Sequence, residues 1–400
     1  MIIGLIGKAN VGKSTFFNAA TELAVPAANY PFTTIEPNVG VAYARIKCAC
    51  REFGVQDNPV HSMCIDGNRF IPIKLIDVAG LVPGAHAGKG LGNKFLDDAR
   101  QADALIHVVD ASGSTDSAGK TVPAGTADPM FDVQFVEEEF DLWMSAILSR
   151  DWSKTAREAE NQGQKLEQML AKRFSGLAIP EHLISATVYE SGLSLKNPTQ
   201  WSDEDIKQFC RLLRVKAKPF VVAANKSDLP SAEANIAKIK GAGLAVVPCA
   251  SEAEAMLKKA SKKGILHYLP GDNSFEVKPG VTLNDAQKKA LDIVHALIAK
   301  YGSTGVQEAI NIACFQLLRL IAVYPVEDDL RLSDKNGNVL PDVRLLPEGS
   351  TAKDLAATVH ADLAKGFLYA VDARTKQRIG ADHKLKGGDV IKIVSAASRG

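Results

Sequence analysis

Residues 7–14 read Gly7-Lys8-Ala9-Asn10-Val11-Gly12-Lys13-Ser14 and fit the pattern G-x-x-x-x-G-K-S/T. An apolar run over residues 2–6 precedes them, and a helical stretch over residues 14–20 follows. A strand, a glycine-rich turn and a helix in this order bind phosphate, because the glycines let successive backbone N–H groups point at phosphate oxygens. The sequence therefore predicts that this loop, continued by Thr15, binds a nucleotide at one edge of an α/β sheet.

Two side chains of the loop are predicted to act on the phosphates. Lys13 reaches the β- and γ-phosphates and stabilises the charge of the transferred phosphoryl group, while the Ser14 hydroxyl binds Mg²⁺. Asn10 is a candidate ligand for K⁺, a cation that could do the work of an arginine finger. A local backbone hydrogen bond is an equally weighted interpretation of Asn10.

A second motif, Asp77-Val78-Ala79-Gly80, ends a predicted strand over residues 71–76. The Asp77 carboxylate can hold Mg²⁺ through water, and the Gly80 N–H can contact the γ-phosphate and so sense its presence. Between the two motifs lies Thr33-Thr34, where one threonine is needed to bind Mg²⁺ and the γ-phosphate together. Thr34 is preferred for that role.

The residue after Gly80 is Leu81, where many GTPases carry a glutamine that orients the attacking water. Hydrolysis would then depend on another group: a backbone N–H, a monovalent cation or a partner protein. His86 is near enough in sequence to be considered, although a lone histidine in a glycine-rich loop is more often not catalytic. Lys13, Thr34 and Gly80 are therefore the main predicted catalytic residues.

A third motif, Asn225-Lys226-Ser227-Asp228, follows the apolar run 220–224. The Asp228 carboxylate can accept hydrogen bonds from N1–H and N2–H₂ of guanine, a donor pair that adenine lacks, and such a site rejects the analogue by about 10⁴–10⁵. Lys226 would cover the purine, and Asn225 would tie this loop to residues 7–14. Ala250-Ser251, after a predicted strand over residues 244–247, would present a backbone N–H to guanine O6. Together these motifs predict a GTPase.

The composition agrees with an ordinary globular protein of two or three domains. The chain has 400 residues, 46% hydrophobic and 23% charged, with a net charge of +1. This charge argues against a general polyanion binder but leaves room for a local basic face. No apolar run reaches the ~18 residues of a membrane helix, and the start of the chain reads as a strand and not as a signal peptide. A cytoplasmic protein without membrane contact is expected, and its six cysteines predict no disulfide framework.

Long stretches of the chain resemble the Obg-like GTPases, most closely their YchF-related branch found in archaea and eukaryotes. They are residues 29–38, with the threonine pair, and residues 76–96, which begin Ile76-Asp77-Val78-Ala79-Gly80-Leu81. Residues 347–355, 366–370 and 385–391 resemble parts of a TGS domain. The resemblance implies a G domain with a helical insertion, a TGS β-grasp domain and a hydrophobic residue in place of the catalytic glutamine. It also implies a switch with ties to ribosomes or translation, and RNA contact through the accessory domains. Some relatives use ATP and lose the regular guanine motif, which this chain keeps.

The pattern of strands and helices divides the chain into four segments. Residues 1–128 are predicted as the first part of the G domain, built on a parallel-rich sheet, and residues 129–215 as an inserted helical hairpin. Residues 216–318 complete the G domain with additional helices, and residues 319–400 form the TGS-like β-grasp domain. In this last segment Thr351 and Asp354 predict a capping box, and Leu355, Val359 and Leu363 predict one helix.

Two other functions stay open. One is an ATPase of the same fold. The other is a ribosome- or RNA-binding adaptor with little turnover, whose basic face would comprise Arg374, Lys376, Arg378, Lys384 and Lys386. A solvated charged rim is the alternative for these five residues, and the sequence does not predict the oligomeric state.

Four possible metal ligands, Cys48, Cys50, His61 and Cys64, lie close together in the sequence. Because C-x-C is not the usual zinc spacing, ordinary buried thiols are expected here.

Overall fold

The computed structural model describes residues 1–22, 38–78, 99–162, 165–177, 179–195 and 197–396. The described residues form two compact units. The first holds residues 1–22, 38–40 and 74–309, and the second holds residues 41–73 and 310–396. Among the helices in these ranges, none is both long enough and apolar enough to cross a membrane.

The strands of the described ranges are β1 (Ile2–Ile6), β2 (Val39–Lys47), β3 (Met63–Ile65), β4 (Asn68–Asp77), β5 (Ala104–Asp110), β6 (Phe220–Asn225), β7 (Val246–Pro248), β8 (Leu266–His267), β9 (Glu276–Val277), β10 (Leu320–Val326), β11 (Arg344–Pro347), β12 (Phe367–Asp372), β13 (Arg378–Ile379) and β14 (Val390–Ser395).

The α-helices of the same ranges are α1 (Lys13–Thr21), α2 (Ala49–Phe53), α3 (Pro129–Ser149), α4 (Trp152–Gln162), α5 (Leu166–Arg173), α6 (Glu181–Ser191), α7 (Asp203–Ala217), α8 (Ala232–Gly241), α9 (Ser251–Lys262), α10 (Asp285–Tyr301), α11 (Val306–Asn311), α12 (Ala352–Val359) and α13 (Ala361–Lys365).

The first unit is built on parallel strands in the order β4-β1-β5-β6-β7. Their continuous apolar sequences are those of a sheet buried on both faces, which confirms the predicted α/β class. In this register Asp77 pairs with Leu5, and Asp110 pairs with Asn225. The carboxyl ends of the strands therefore bring polar residues to the same edge as the loop after β1, which is where ligands bind in such sheets.

Within its described residues, the segment between β5 and β6 holds five α-helices, α3 to α7, and not the predicted two-helix hairpin. The polar run after residue 150 is interrupted by residues that end helices. Asp151 and Gly192 have positive φ angles of 58° and 69°, and Pro180 and Pro198 remove backbone donors. These helices enclose an apolar core of their own, which includes Trp152, Phe174, Trp201 and Phe209.

Helix α3 belongs to both parts of the first unit. Near its start Val136 and Phe140 pack on the sheet beside Ile6 and Leu105. Near its end Met144 and Leu148 enter the core of the inserted helices. The insertion is thus anchored by one continuous amphipathic helix.

The second unit contains a sheet in the order β11-β10-β14-β12-β13, with α12 packed on it. Thr351 and Asp354 form the predicted capping box at the start of α12. The predicted single helix is interrupted at His360, whose extended backbone (φ −160°, ψ 137°) ends α12 and caps α13. The first half of β4 also lies in this unit, where β3 pairs with it antiparallel.

Candidate nucleotide-binding site

The loop between β1 and α1 is held against the loop after β6. Gly12 has φ 90°, and a Cβ atom placed on it would lie 2.2 Å from Nδ2 of Asn225. Only glycine accepts this backbone without strain and lets the two loops approach so closely. Helix α1 begins at the next residue, so its first N–H groups face the same opening.

Asn225 connects three of the predicted motifs. Its Nδ2 donates to the Val11 carbonyl oxygen (2.9 Å), and its Oδ1 accepts from the backbone N–H (3.1 Å) and the hydroxyl (2.9 Å) of Ser251. The side chain is buried, so these bonds form away from competing water. The predicted tie between Asn225 and the phosphate loop is present, and Ser251 belongs to the same network.

Lys13 forms an ion pair with Asp77 at the end of β4. Both side chains are only 13–15% exposed, so the pair sits inside the cleft and not on its rim. Ser14, the next residue of α1, is exposed. The structure thus brings the predicted phosphate-binding amine together with Asp77, one of the predicted Mg²⁺ ligands. Thr33, Thr34, Gly80, Leu81 and His86 lie outside the described residues.

Lys226 contacts a carboxylate that the sequence analysis did not single out. Its Nζ donates to Oδ2 of Asp110 (2.8 Å) and to the Ser114 hydroxyl (3.1 Å). Asp110 also accepts from the hydroxyls of Ser112 and Thr115. Burial alone would raise the pKa of Asp110, but the hydrogen bonds, from Lys226 above all, hold it below its usual value. Asp110 could have been found from the sequence, because it is an aspartate at the carboxyl end of a buried strand and precedes a serine- and threonine-rich turn.

The loop over residues 112–127 packs on the phosphate loop. Nδ2 of Asn10 donates to the Gly119 carbonyl oxygen (2.8 Å), and the Thr115 hydroxyl donates to the Asn10 carbonyl oxygen (3.4 Å). Lys8 donates to the Thr115 carbonyl oxygen (3.1 Å) and pairs with Asp132 (2.7 Å). Asn10 therefore makes a backbone hydrogen bond, but to a residue 109 positions away and not the local bond that was one of its two interpretations. Its Oδ1 is the side-chain atom left to ligate a cation.

The two groups predicted to read the base differ in their surroundings. Asp228 is exposed, and its carboxylate has no hydrogen-bond or ion-pair partner among the described residues. By contrast, the N–H of Ala250 donates to the Thr304 carbonyl oxygen (2.9 Å), and the N–H of Ser251 donates to Asn225. A contact from Ala250 to guanine O6 would have to share or replace the bond to Thr304.

The predicted cysteine cluster has a different composition. Cys48, Cys50 and Cys64 do come together, but their fourth neighbour is Asp57 and not His61. His61 instead lines a separate cavity of about 730 Å³ in the second unit.

The strand order, the phosphate loop and the motif of residues 225–228 are those of a P-loop GTPase domain. Three family models match the chain: "50S ribosome-binding GTPase" over residues 2–130, "Obg-like GTPase YGR210-like, G4 motif-containing domain" over residues 223–328, and "TGS domain" over residues 336–395. The chain belongs to the Obg-like, YchF-related GTP-binding proteins.

Two of the relatives match at least 90% of the chain. An uncharacterized GTP-binding protein of Methanocaldococcus jannaschii is 50% identical over 99% of both chains, and one of Schizosaccharomyces pombe is 38% identical over 90% of both. The ribosome-binding ATPase YchF of Bacillus subtilis is 32% identical over 59% of this chain and 60% of its own. A GTP-binding protein structure from Pyrococcus horikoshii has 41% identity, a TM-score of 0.79 and coverage of 99% of this chain and 100% of its own.

Proposed function

We propose that the chain hydrolyses GTP to GDP and phosphate with Mg²⁺ and acts as a slow molecular switch. The observation that carries this proposal is the Asn225 network, which joins the phosphate loop to the loop of Asp228. The Asp228 carboxylate is exposed and lacks a partner within the described ranges. A carboxylate in that position accepts two hydrogen bonds from guanine and none from adenine, so it selects GTP.

Lys13 and Asp77 would exchange partners when the nucleotide binds. The Lys13 amine would leave the carboxylate for the β- and γ-phosphates, and Asp77 would accept hydrogen bonds from water on the cation. The oxygens of Ser14 and Asp77 are donors of the type that Mg²⁺ prefers, with Thr34 as a further ligand. When bound, Mg²⁺ supplies positive charge at the phosphate oxygens.

In the proposed reaction, water attacks the γ-phosphorus and the bond to the β–γ bridging oxygen breaks. Lys13 stabilises the charge that moves toward that oxygen, and the Gly80 N–H would hold a γ-phosphate oxygen. Because Leu81 cannot orient water, we assign help to K⁺ held by Oδ1 of Asn10 or to a partner. Slow turnover by the isolated chain is therefore expected.

An ATPase is the second candidate. It is favoured by the names of relatives, such as the ribosome-binding ATPase YchF of B. subtilis and the Obg-like ATPase 1 of human, which is 29% identical over 92% of this chain. Against it stands Asp228, whose carboxylate offers adenine no matching donors. The two candidates differ at the base and share the phosphate chemistry.

The proposed partner is the ribosome or its RNA, in the cytoplasm. The name of the B. subtilis relative and the description of the matching domain both mention ribosome binding. All five predicted basic residues are exposed, but Arg374 is paired with Glu52 and Lys376 donates to the Asp329 carbonyl oxygen. The other three are Arg378, Lys384 and Lys386. These three are the cations that we assign to RNA contact.

The first test is hydrolysis by the purified protein of GTP and of ATP, with Mg²⁺ and with either K⁺ or Na⁺. We expect GTP to be used in preference to ATP, and faster with K⁺ than with Na⁺. Equal or better use of ATP would reject Asp228 as the selector. Tight GTP binding without turnover, even with ribosomes present, would favour the adaptor function instead.

A substitution at Asp228 tests the base contact directly. Xanthine carries a carbonyl where guanine carries the N2 amine, so the amide of Asp228→Asn can donate to xanthine while accepting from its N1–H. The variant should lose most of its GTP affinity and gain affinity for XTP. Asp292→Asn, at an exposed carboxylate on α10, is the matched control and should bind GTP as before. Unchanged GTP binding in Asp228→Asn would contradict the proposed contact.

A further inference from the structure

We propose that Cys48, Cys50, Asp57 and Cys64 bind one zinc ion that stabilises the fold of the second unit. One ligand atom from each of these four side chains lies within 4.8 Å of the other three. Half of the six cysteines of the chain meet at this point. This site is separate from the nucleotide-binding residues and has no part in the proposed hydrolysis.

The backbone brings the four residues together from three segments. Cys48 and Cys50 flank the start of α2, and Asp57 lies in the loop that follows. Cys64 is in β3, where it pairs with Arg69 of β4 across a turn at Asp66 and Gly67. The N–H of Cys48 donates to the Gly67 carbonyl oxygen (2.9 Å), which holds the start of α2 against that turn.

Two distances within the cluster are close to those between ligands of one tetrahedral ion. With Zn–S bonds of about 2.3 Å, two ligand sulfurs lie about 3.8 Å apart, and a sulfur and an oxygen about 3.5 Å. Sγ of Cys50 is 3.7 Å from Sγ of Cys64, and Sγ of Cys48 is 3.2 Å from Oδ2 of Asp57. Four protein ligands complete a tetrahedron, so the site is of the structural and not the catalytic kind.

Arg69 compensates the charge of such a site. Three thiolates and a carboxylate carry more negative charge than Zn²⁺ neutralises. The guanidinium of Arg69, which is fully buried, donates to Oδ2 of Asp57 (2.7 Å) and to Sγ of Cys48 (3.4 Å). It also donates to the Leu340 carbonyl oxygen (3.0 Å). Donors of this kind orient metal ligands and raise the affinity of the site.

The ligand set favours zinc over other metals. Thiolates select soft or borderline ions, and a tetrahedral set rich in sulfur is typical of zinc. Two alternatives remain for the test: hydrogen-bonded thiols and a Cys50–Cys64 disulfide. In the thiol alternative, the Cys48 S–H donates to Oδ2 of Asp57, which also accepts from Arg69, so metal content is the measurement that separates the two.

The position of the cluster indicates what the ion would do. Cys48 and Cys50 share an apolar core with Tyr324, Leu340 and Val390 of the C-terminal segment. The ion would therefore close the segment of residues 48–64 onto itself where it packs on the C-terminal sheet. A small unit gains stability from such a metal, because the ligands are brought together only in the folded state.

The first experiment measures the metal content of the full chain. The reduced protein is incubated with zinc, dialysed against a weak chelator and assayed by elemental analysis. We expect about one zinc per chain, and its loss from the double variant Cys50→Ser/Cys64→Ser. The double variant Cys210→Ser/Cys314→Ser removes two buried cysteines elsewhere and should retain the zinc. No bound zinc in the wild type, or zinc retained without Cys50 and Cys64, would overturn the proposal.

A second measurement avoids variants that fail to fold. Co²⁺ replaces zinc in the unaltered chain, and its absorption spectrum reports both geometry and sulfur ligands. We expect intense tetrahedral bands together with sulfur-to-cobalt charge transfer, both abolished by added zinc. An octahedral spectrum without charge transfer would reject the site. A Cys50–Cys64 disulfide, found by mass spectrometry in protein isolated with its thiols blocked, would reject it as well.

Discussion

At Gly12 a single methyl group should separate the two loops of the nucleotide site. The added Cβ of Gly12→Ala would lie 2.2 Å from Asn225 Nδ2, and the positive φ adds strain of about 1–3 kcal/mol. We expect GTP affinity, measured by calorimetric titration, to fall about 10- to 100-fold. Gly243→Ala is the matched control, since Gly243 has φ 79° but open space around it. Equal losses of affinity in both variants would show that the clash with Asn225 is not the cause.

His107 in β5 makes stability depend on pH. Burial, with a smaller contribution from the charge of Lys8, lowers the pKa of His107 to about 3, whereas the unfolded chain has about 6.5. The unfolded state therefore binds more protons in this interval, and stability present above pH 6.5 is lost as the pH falls toward 3. The loss between pH 7 and 5 should reach about 2 kcal/mol, at a limit of about 1.4 kcal/mol per pH unit.

The measurement is urea unfolding of wild type and His107→Leu at several pH values. The variant should lose about 2 kcal/mol less than the wild type between pH 7 and 5. The exposed His383 offers a control, because His383→Leu should keep the pH dependence of the wild type. Parallel curves for wild type and His107→Leu would contradict the assignment.

At the scale of elements, a buried ion pair couples α9 to α1. Lys258 pairs with Glu254 at 3.3 Å, without good hydrogen-bond alignment, and donates to the Ala19 carbonyl oxygen near the end of α1. Glu254 is fully buried and accepts from Tyr268 and Thr304. Lys258→Met would leave the Glu254 carboxylate with no compensating charge in this pair.

We expect Lys258→Met to lower the free energy of unfolding by about 3–5 kcal/mol. Adding Glu254→Gln removes the uncompensated charge and should recover part of that loss, as measured by denaturant unfolding. If the double variant loses as much free energy of unfolding as the two single variants together, the two side chains do not stabilise the fold as an ion pair.

The N-terminal cap of helix α12 should also contribute to stability, by a smaller amount. Its capping box rests on Thr351, whose hydroxyl accepts from the Asp354 N–H (3.3 Å). Thr351→Ala should cost about 1 kcal/mol of stability, measured as a shift in the thermal unfolding of the chain. Thr358→Ala near the other end of the helix should cost less, since the Thr358 hydroxyl only bonds back to Leu355. Equal costs at the two positions would argue against the cap.

The sequence predicted those elements whose information is local. Strands such as Ile2–Ile6 and Phe220–Asn225 follow from continuous apolar runs, and the phosphate loop follows from its spacing. Contacts between distant segments could not be predicted this way. Asn10 bonds to Gly119, which is 109 residues away, and no pattern in the sequence indicates that contact. Asp57 was missed because a carboxylate beside cysteines has no fixed spacing, and His61 was included only because of its residue type.

At the scale of the whole molecule, the exposed cations of the second unit should make RNA binding depend on salt. Phosphate contacts release counterions, so the logarithm of the binding constant falls linearly with that of the salt concentration. Lys384→Ala/Lys386→Ala should weaken binding to ribosomes and reduce this slope by about 1–2. Lys262→Ala/Lys263→Ala, at two exposed lysines of the first unit, is the control. Binding that does not depend on salt, or an unchanged slope in Lys384→Ala/Lys386→Ala, would show that these cations do not contact RNA.

The Asn225 network also has a consequence for evolution. Asn225 satisfies Val11 and Ser251 with both ends of one amide, so a change at this position would have to be matched in two other loops at once. The Asp228 side chain, by contrast, has no hydrogen-bond partner within the described ranges. Lineages descended from a common ancestor can therefore drift in nucleotide preference through Asp228 while Asn225 stays fixed. An alignment of the family should show an invariant asparagine at the position of Asn225 and variable residues at the position of Asp228. Proteins that differ at the position of Asp228 should differ in the nucleotide they use.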